Sequence, residues 1–396
     1  MSATLRLAFV VPRYGPDVVG GAETLCRDYA ERLAAAGHRV EVLTTCARDH
    51  FTWRNELPAG TTTVAGVPVR RFPVTRHRDH HAMTMIHARL EAGFALDPES
   101  EREWVMNTGY SEPLLDAVDR TADSVDALVF APYLFASTCF GARLHPGRSV
   151  IIPCLHDEAF ARFSILQDTL RECAALVFNS SAERDLAARL LGDLPAHTVV
   201  GAGFAAPPRL EPERARRRHR LDGELVAYAG RREIAKNFPL VVECVTVYDR
   251  ALGRRGPVTL AAMGSGRVAV PASARGVIAD IGYVDHQDKL DIISASVAVA
   301  QLSLMESFSY SVMEAWLCSV PVIVHADCAV TRRHCEESGG GVWVHSPEGF
   351  CEALDRIRSN GLGRRLGEAG RRFVGARYSW PAVLDRLVAA LERMAA

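Results

Sequence analysis

An α/β fold built from two doubly wound parallel-sheet domains is predicted by three features of this 396-residue chain. Its length exceeds what one hydrophobic core ordinarily serves. Short apolar runs alternate with helical stretches through both halves, as in β-α-β units with right-handed crossovers. Ala205-Ala206-Pro207-Pro208 then breaks the pattern, and a second strand–helix series begins, so residues 1–206 and 207–379 read as separate domains.

Composition narrows the class. A hydrophobic share of 48% and a charged share of 23% are those of a soluble globular protein. A formal net charge of −1 provides no global field for nucleic acid or a membrane surface. Ten cysteines are scattered without a C-x-x-C pair, and residues such as Cys173, Cys244 and Cys318 sit in apolar runs, which suits buried thiols in a reducing compartment. Leu7–Val11 is too short for a signal-peptide core, and no apolar run has the length of a membrane span. A cytoplasmic protein is expected.

In chain order, Leu5–Val11 reads as a buried strand, Arg13–Gly21 as a loop, and Gly20-Gly21-Ala22-Glu23 as the start of a helix ending near Gly37. Arg39–Thr45 completes the first β-α-β unit. Glycines 15, 20 and 21 let backbone approach a ligand, but they do not match the dinucleotide fingerprint. Arg48–Gly109 reads as irregular apart from a short β pair around Thr62–Phe72, with His77, His80, His81 and His87 in a loop. Metal binding is disfavoured there because no Cys or carboxylate sits at ligand spacing. With Trp53, Trp104 and Tyr110 nearby, this stretch could wall an acceptor pocket, and Arg76–Arg89 could give weak peripheral membrane contact. Ser149–Cys154 is another strand, and His156 follows it where α/β proteins place ligands. Ala174–Phe178 precedes Asn179-Ser180-Ser181, which can cap a helix through Leu191.

The second half opens on Glu211–Arg220, read as a solvated first helix. Leu225–Ala229 ends in Gly230-Arg231-Arg232-Glu233-Ile234-Ala235-Lys236-Asn237, which sets Arg231 and Lys236 beside a flexible turn and suits a diphosphate. Val258–Met263 ends in Gly264-Ser265-Gly266, where a phosphate or ribose could approach. Ala298–Leu304 leads to Glu306, and Glu314 lies further on. Were helix continuous between them, the two would be offset by about 80° and about 12 Å, far enough to grip two ends of one ligand. Carboxylates should face hydroxyls and cations should face phosphate, and together they describe a nucleotide-sugar. No Asp-x-Asp occurs to anchor a metal-bridged diphosphate, so the cations would stabilise the leaving group.

Taken together, Gly230-Arg231…Lys236-Asn237, Gly282-Tyr283-Val284, Glu306…Glu314 and Pro321-Val322-Ile323-Val324 resemble the retaining glycosyltransferases of the GT-B fold, family four. The resemblance extends to Gly20-Gly21, His156 and Tyr378-Ser379-Trp380. It implies two facing Rossmann-like domains, the first (1–206) for the acceptor and the second (207–379) for the donor. It also implies that residues 380–396 pack back on the first. Arg231 and Lys236 would hold the diphosphate, Glu306 the donor sugar, Glu314 the ribose, and His156 the sugar near the reacting carbon. Backbone at Phe308, Ser309 and Tyr310 would meet sugar and phosphate, with Gly20 and Gly21 closing over them and Tyr283 and Gly264 near the nucleotide. The reaction implied moves a hexose from a UDP- or GDP-sugar to a hydroxyl of a saccharide, lipid-linked or small-molecule acceptor. It would retain anomeric configuration and need no metal or other cofactor, nor any nucleic-acid partner. A nucleotide-sugar 2-epimerase or a non-catalytic sugar-nucleotide-binding protein shares this architecture. Ser307 and Ser309 stand where the family usually has glycines flanking the Phe, which is expected to narrow the pocket.

Overall fold

A computed structural model describes residues 4–18, 20–250, 256–266, 270–274 and 276–395. The loop Arg13–Gly21 is thus described except at residue 19, and the Met1–Pro12 segment from residue 4. The chain divides into two compact units, Met1–Ala202 with Val383–Ala396, and Gly203–Ala382.

The first unit holds β1 (Arg6–Val11), β2 (Arg39–Thr45), β3 (Gly60–Val64), β4 (Val67–Phe72), β5 (Ala127–Phe130), β6 (Ser149–Ile151), β7 (Ala175–Phe178) and β8 (Ala196–Val199). They form one sheet in the order β3-β4-β2-β1-β5-β6-β7-β8, parallel except that β3 runs antiparallel to β4. Central strands are apolar on both faces because helices cover both, and Val10, Leu128, Phe130, Leu176 and Phe178 are fully buried. Strand β6 stops at Ile151, short of the expected Cys154, because Pro153 has no N–H for the ladder.

The largest departure from the sequence reading lies in residues 48–109. Two helices, His80–Glu91 and Pro98–Met106, stand where irregular chain is expected. Asp79 and Asp97 cap them by accepting from Ala82 N and Ser100 N, and Pro98 sits in the first turn. The histidines are correspondingly not a loop cluster. Burial lowers the His87 pKa, and its Nε2 accepts from Trp104 Nε1 at 3.2 Å.

The second unit holds β9 (Glu224–Ala229), β10 (Val258–Met263), β11 (Ile278–Gly282), β12 (Ala298–Gln301), β13 (Val322–His325) and β14 (Gly341–Val344). The order is β11-β10-β9-β12-β13-β14, all parallel. Its first helix, Pro212–His219, is held rather than freely solvated. Arg214 pairs with the fully buried Asp291, and His219 Nε2 lies 2.7 Å from Asp288. Each buried carboxylate thus has an arginine beside it, Arg214 at Asp291 and Arg218 at 3.7 Å from Asp288, so these two arginines are engaged within the protein.

Candidate active site

Strand order in the second unit reverses between β9 and β12, and such a switch point opens a crevice at the carboxyl ends. Two loops meet there. After β9 the chain makes a single 3-10 turn, Ile234–Lys236. Asn237 ends the turn at φ 53°, a left-handed conformation that Asn tolerates. Its Nδ2 donates to the Leu302 carbonyl at 3.0 Å, tying this loop to the end of β12. Across that tie, Lys236 Nζ reaches Glu306 Oε1 at 2.8 Å. Residues 70 apart in sequence thus form one charge pair at the crevice, and both are partly buried.

Glu306 does not begin a helix. The helix spans Tyr310–Leu317, and Ser309 before it has φ 73°. A non-glycine residue there costs about 1–2 kcal/mol, and it breaks the helical path that the offset between Glu306 and Glu314 assumed. Glu314 is buried within the helix; Lys289 Nζ donates to its Oε1, and His286 Nδ1 lies 3.6 Å from the same atom. Both partners belong to helix His286–Ser294, capped by Asp285. Lys289 has no counterpart among the residues singled out from sequence, where it reads as one charge on a surface helix.

The two cations expected at the diphosphate differ in setting. Arg231 lies 3.1 Å from Glu233 and is half exposed, whereas Lys236 is held by Glu306. Arg232 is drawn to Asp280. Gly264 has φ 121°, and a Cβ there would lie 1.9 Å from the Gly230 carbonyl oxygen. Its missing side chain therefore admits a neighbouring turn of the protein itself. Tyr283 is 76% exposed, just past β11, and offers a free aromatic face.

Phe308 turns its ring inward among Phe204, Tyr310, His334 and Tyr378, with centroids 5.1–6.2 Å away. His334 Nε2 donates to the Phe308 carbonyl at 3.0 Å, and burial lowers the His334 pKa to about 4, so the ring is neutral. The closing Tyr378-Ser379-Trp380 segment supports the same loop. Tyr378 packs on Phe308, Phe204 N donates to the Tyr378 carbonyl, and Trp380 fills the space that a side chain at Gly203 would need. Ser309 is 5% exposed, and its hydroxyl meets Gln301 and Ser311. The expected narrowing of the pocket by Ser309 is therefore absent, since its side chain points into the protein.

In the first unit, Gly20 and Gly21 lead into helix Gly21–Ala35. A Cβ on Gly20 would collide with the Glu23 carboxylate, itself in a buried pair with Arg13. His156 follows β6, with Nδ1 3.8 Å from Glu158 Oε1, and Tyr133 donates to that carboxylate at 2.9 Å. Burial raises the Glu158 pKa. A cleft of about 460 Å³ between helices His80–Glu91 and Pro98–Met106 is lined by Met85, Ile86, Arg89 and Glu103, among others, and holds no expected site residue. Among the described residues, no group of three or more His, Cys, Asp or Glu could hold a metal ion, and no helix is long and apolar enough to cross a membrane.

Residues 211–373 match the family described as "Glycosyl transferases group 1". A D-inositol 3-phosphate glycosyltransferase from Saccharomonospora viridis is 28% identical over 241 residues, so the match spans just over half of each chain, 56% of both. Among solved structures, a sucrose-phosphate synthase from Thermosynechococcus elongatus aligns over 98% of this chain and 99% of its own, at TM-score 0.72 and 16% identity. HepE from Anabaena, in complex with UDP-glucose, aligns over 98% of this chain and 100% of its own, at TM-score 0.71 and 15% identity. This chain has the GT-B fold of these glycosyltransferases, and the part of it that matches the glycosyl transferases group 1 family is residues 211–373, within the second unit.

Proposed function

We propose that this protein is a retaining family-four glycosyltransferase that moves a hexose from a UDP- or GDP-sugar to a hydroxyl of a saccharide, lipid-linked or small-molecule acceptor. The observation that carries the reading is the Lys236–Glu306 pair, 2.8 Å apart where the loops after β9 and β12 meet. A cation and a carboxylate at one switch point match the two chemistries of a nucleotide-sugar, phosphate and hydroxyl. Glu306 occupies Lys236 here. A donor diphosphate would compete for that ammonium, and Glu306 would then be free to accept from sugar hydroxyls. Arg231, half exposed on the same loop after β9, would add a second cation, and Glu314 would accept from ribose hydroxyls. HepE with UDP-glucose on the same fold supports a nucleotide-sugar donor.

In this reading the bond from the anomeric carbon to the diphosphate breaks while the acceptor oxygen attacks the same face. The acceptor proton passes to the departing phosphate oxygen. Lys236 and Arg231 stabilise the charge that develops there, so no metal is required. His156, held near Glu158, would bind the sugar from the first unit, which takes the acceptor. The protein acts in the cytoplasm.

Incubation with UDP- and GDP-hexoses, with and without acceptor extracts and with EDTA, tests the assignment. Nucleotide release that depends on acceptor and survives EDTA is the expected outcome. Isomerised donor without acceptor would make the protein an epimerase, and binding without turnover would make it a non-catalytic binder.

A further inference from the structure

We propose that Gln301 is a positioning residue for the donor loop. Its amide, with Ser311, holds Ser309 in the left-handed conformation that glycine would take unaided. The inference rests on the donor-site reading above.

The strand that carries Gln301 gives it no packing reason to be polar. Ala298, Val299 and Ala300 are fully buried, as is Leu302 beyond it, and Gln301 itself is only 7% exposed. Its Oε1 is buried without a hydrogen-bond partner, a cost that a leucine at this position would not incur. What the amide supplies is donation. The two N–H bonds of Nε2 go to Ser311 Oγ at 2.9 Å and Ser309 Oγ at 3.3 Å, and the two hydroxyls lie 3.3 Å apart. The three side chains close a buried triangle directly beneath the loop.

The residue so held needs holding. Ser309 has φ 73° and ψ 86°, a region that an L side chain rarely adopts. Residue 309 is also the joint between Glu306 and the helix that carries Glu314. Rotation of its φ to a negative value would redirect the chain there and change the separation of the two carboxylates. The other side of the joint is already anchored, since the Phe308 carbonyl is bound by His334. Gln301 therefore fixes the remaining freedom. The Ser309 hydroxyl turns inward to meet Gln301 and Ser311.

The experiment compares Gln301→Met, Ser309→Ala, and the double variant Gln301→Met with Ser309→Gly. Each is assayed for nucleotide release from UDP-glucose and from GDP-mannose, and for hydrogen exchange over residues 306–311. Gln301→Met should lower kcat/KM for the donor about tenfold or more and speed exchange in that segment. Ser309→Ala, which lacks both the hydroxyl and glycine's freedom, should do the same. Adding Ser309→Gly to Gln301→Met should recover most of the loss, because glycine no longer needs the amide. A purely structural role for Gln301 predicts no such rescue. Unchanged exchange in Gln301→Met, or a double variant no better than the single, overturns the proposal. If the wild type releases nucleotide from neither probe, that counts against the donor reading, while the exchange comparison still decides the role of Gln301.

Discussion

The two units build the same kind of sheet edge and use charge there in opposite ways. In the second unit, Lys236 meets Glu306 and Lys289 meets Glu314, and in each pair the ammonium is partly exposed while the carboxylate is largely buried. The first unit also contains ionisable side chains that are buried throughout. Arg13 and Glu23 pair with less than a tenth of either side chain exposed. Glu183 is fully buried and accepts from Leu155 N and Asn179 N, both at 2.6 Å. A pair whose cation reaches solvent can exchange that cation's partner for a phosphate, whereas a pair buried on both sides can only be broken at a loss. The two units thus share a sheet type but differ in detail: the second pairs its carboxylates with cations that reach solvent, while the buried Glu183 braces the loop with His156 in the first.

The strongest way to break this contrast is to remove the exchangeable cation. Lys236→Ala should lower donor turnover roughly 100- to 1,000-fold, as loss of a main transition-state donor does. Nucleotide release and a thermal melt, measured together, separate this from unfolding. A variant that turns over like the wild type would mean the pair in the second unit is only a strut.

A smaller effect is expected at the other carboxylate. Glu314→Gln should weaken binding of UDP or GDP about tenfold, near 1.5 kcal/mol for one charge-assisted hydrogen bond. Titration calorimetry with each nucleotide reads it directly. Unchanged affinity for both would remove Glu314 from the ribose and leave Lys289 as its whole purpose.

In the first unit the prediction concerns stability. Burial raises the Glu183 pKa to about 8 from a model-peptide value of 4.5. Between these values the folded state keeps a proton that the unfolded state has lost, so stability falls as pH rises. The slope is at most about 1.4 kcal/mol per pH unit. Glu183→Gln should flatten that decline, as read by hydrogen exchange over β6 and β7 from acid to mildly alkaline pH. An identical profile in the variant would mean that Glu183 holds no more protons in the folded state than in the unfolded chain.

Much of the fold was legible because β-α-β alternation writes itself as apolar runs between helical stretches; Arg39–Thr45 and Val258–Met263 begin and end as their sequence suggests. The helices His80–Glu91 and Pro98–Met106 were not. Histidines dilute the first, and Gly93 follows it, so the decisive signals are the Asp79 and Asp97 caps, which read equally well as turns. At the site, Arg231, Lys236, Glu306 and Glu314 stood out as charges near strand ends, yet the Lys236–Glu306 and Lys289–Glu314 pairings span 70 and 25 residues, which no local pattern records. Gln301 was invisible for a different reason. A single amide closing an apolar strand looks like a strand end, and only the φ of Ser309 explains what it holds.

His334 gives the smallest predicted effect and the sharpest test of the contrast, because its sign opposes that of Glu183. Burial lowers its pKa to about 4 from 6.5, and its Nε2–H serves the Phe308 carbonyl. Between those values the unfolded chain binds a proton that the folded chain does not, so stability falls as pH drops. The window is narrower than that of Glu183, and the slope is again at most about 1.4 kcal/mol per unit. His334→Gln can keep a donor for Phe308 without titrating, and should flatten the acid decline of exchange protection over residues 306–317. Where the two windows overlap, from about pH 4.5 to 6.5, the two variants should tilt their units in opposite directions relative to the wild type. If both tilt the same way, one of the two groups carries its proton in the folded state against the reading of its surroundings. The division between a braced first unit and a ligand-ready second unit would then need redrawing around that group.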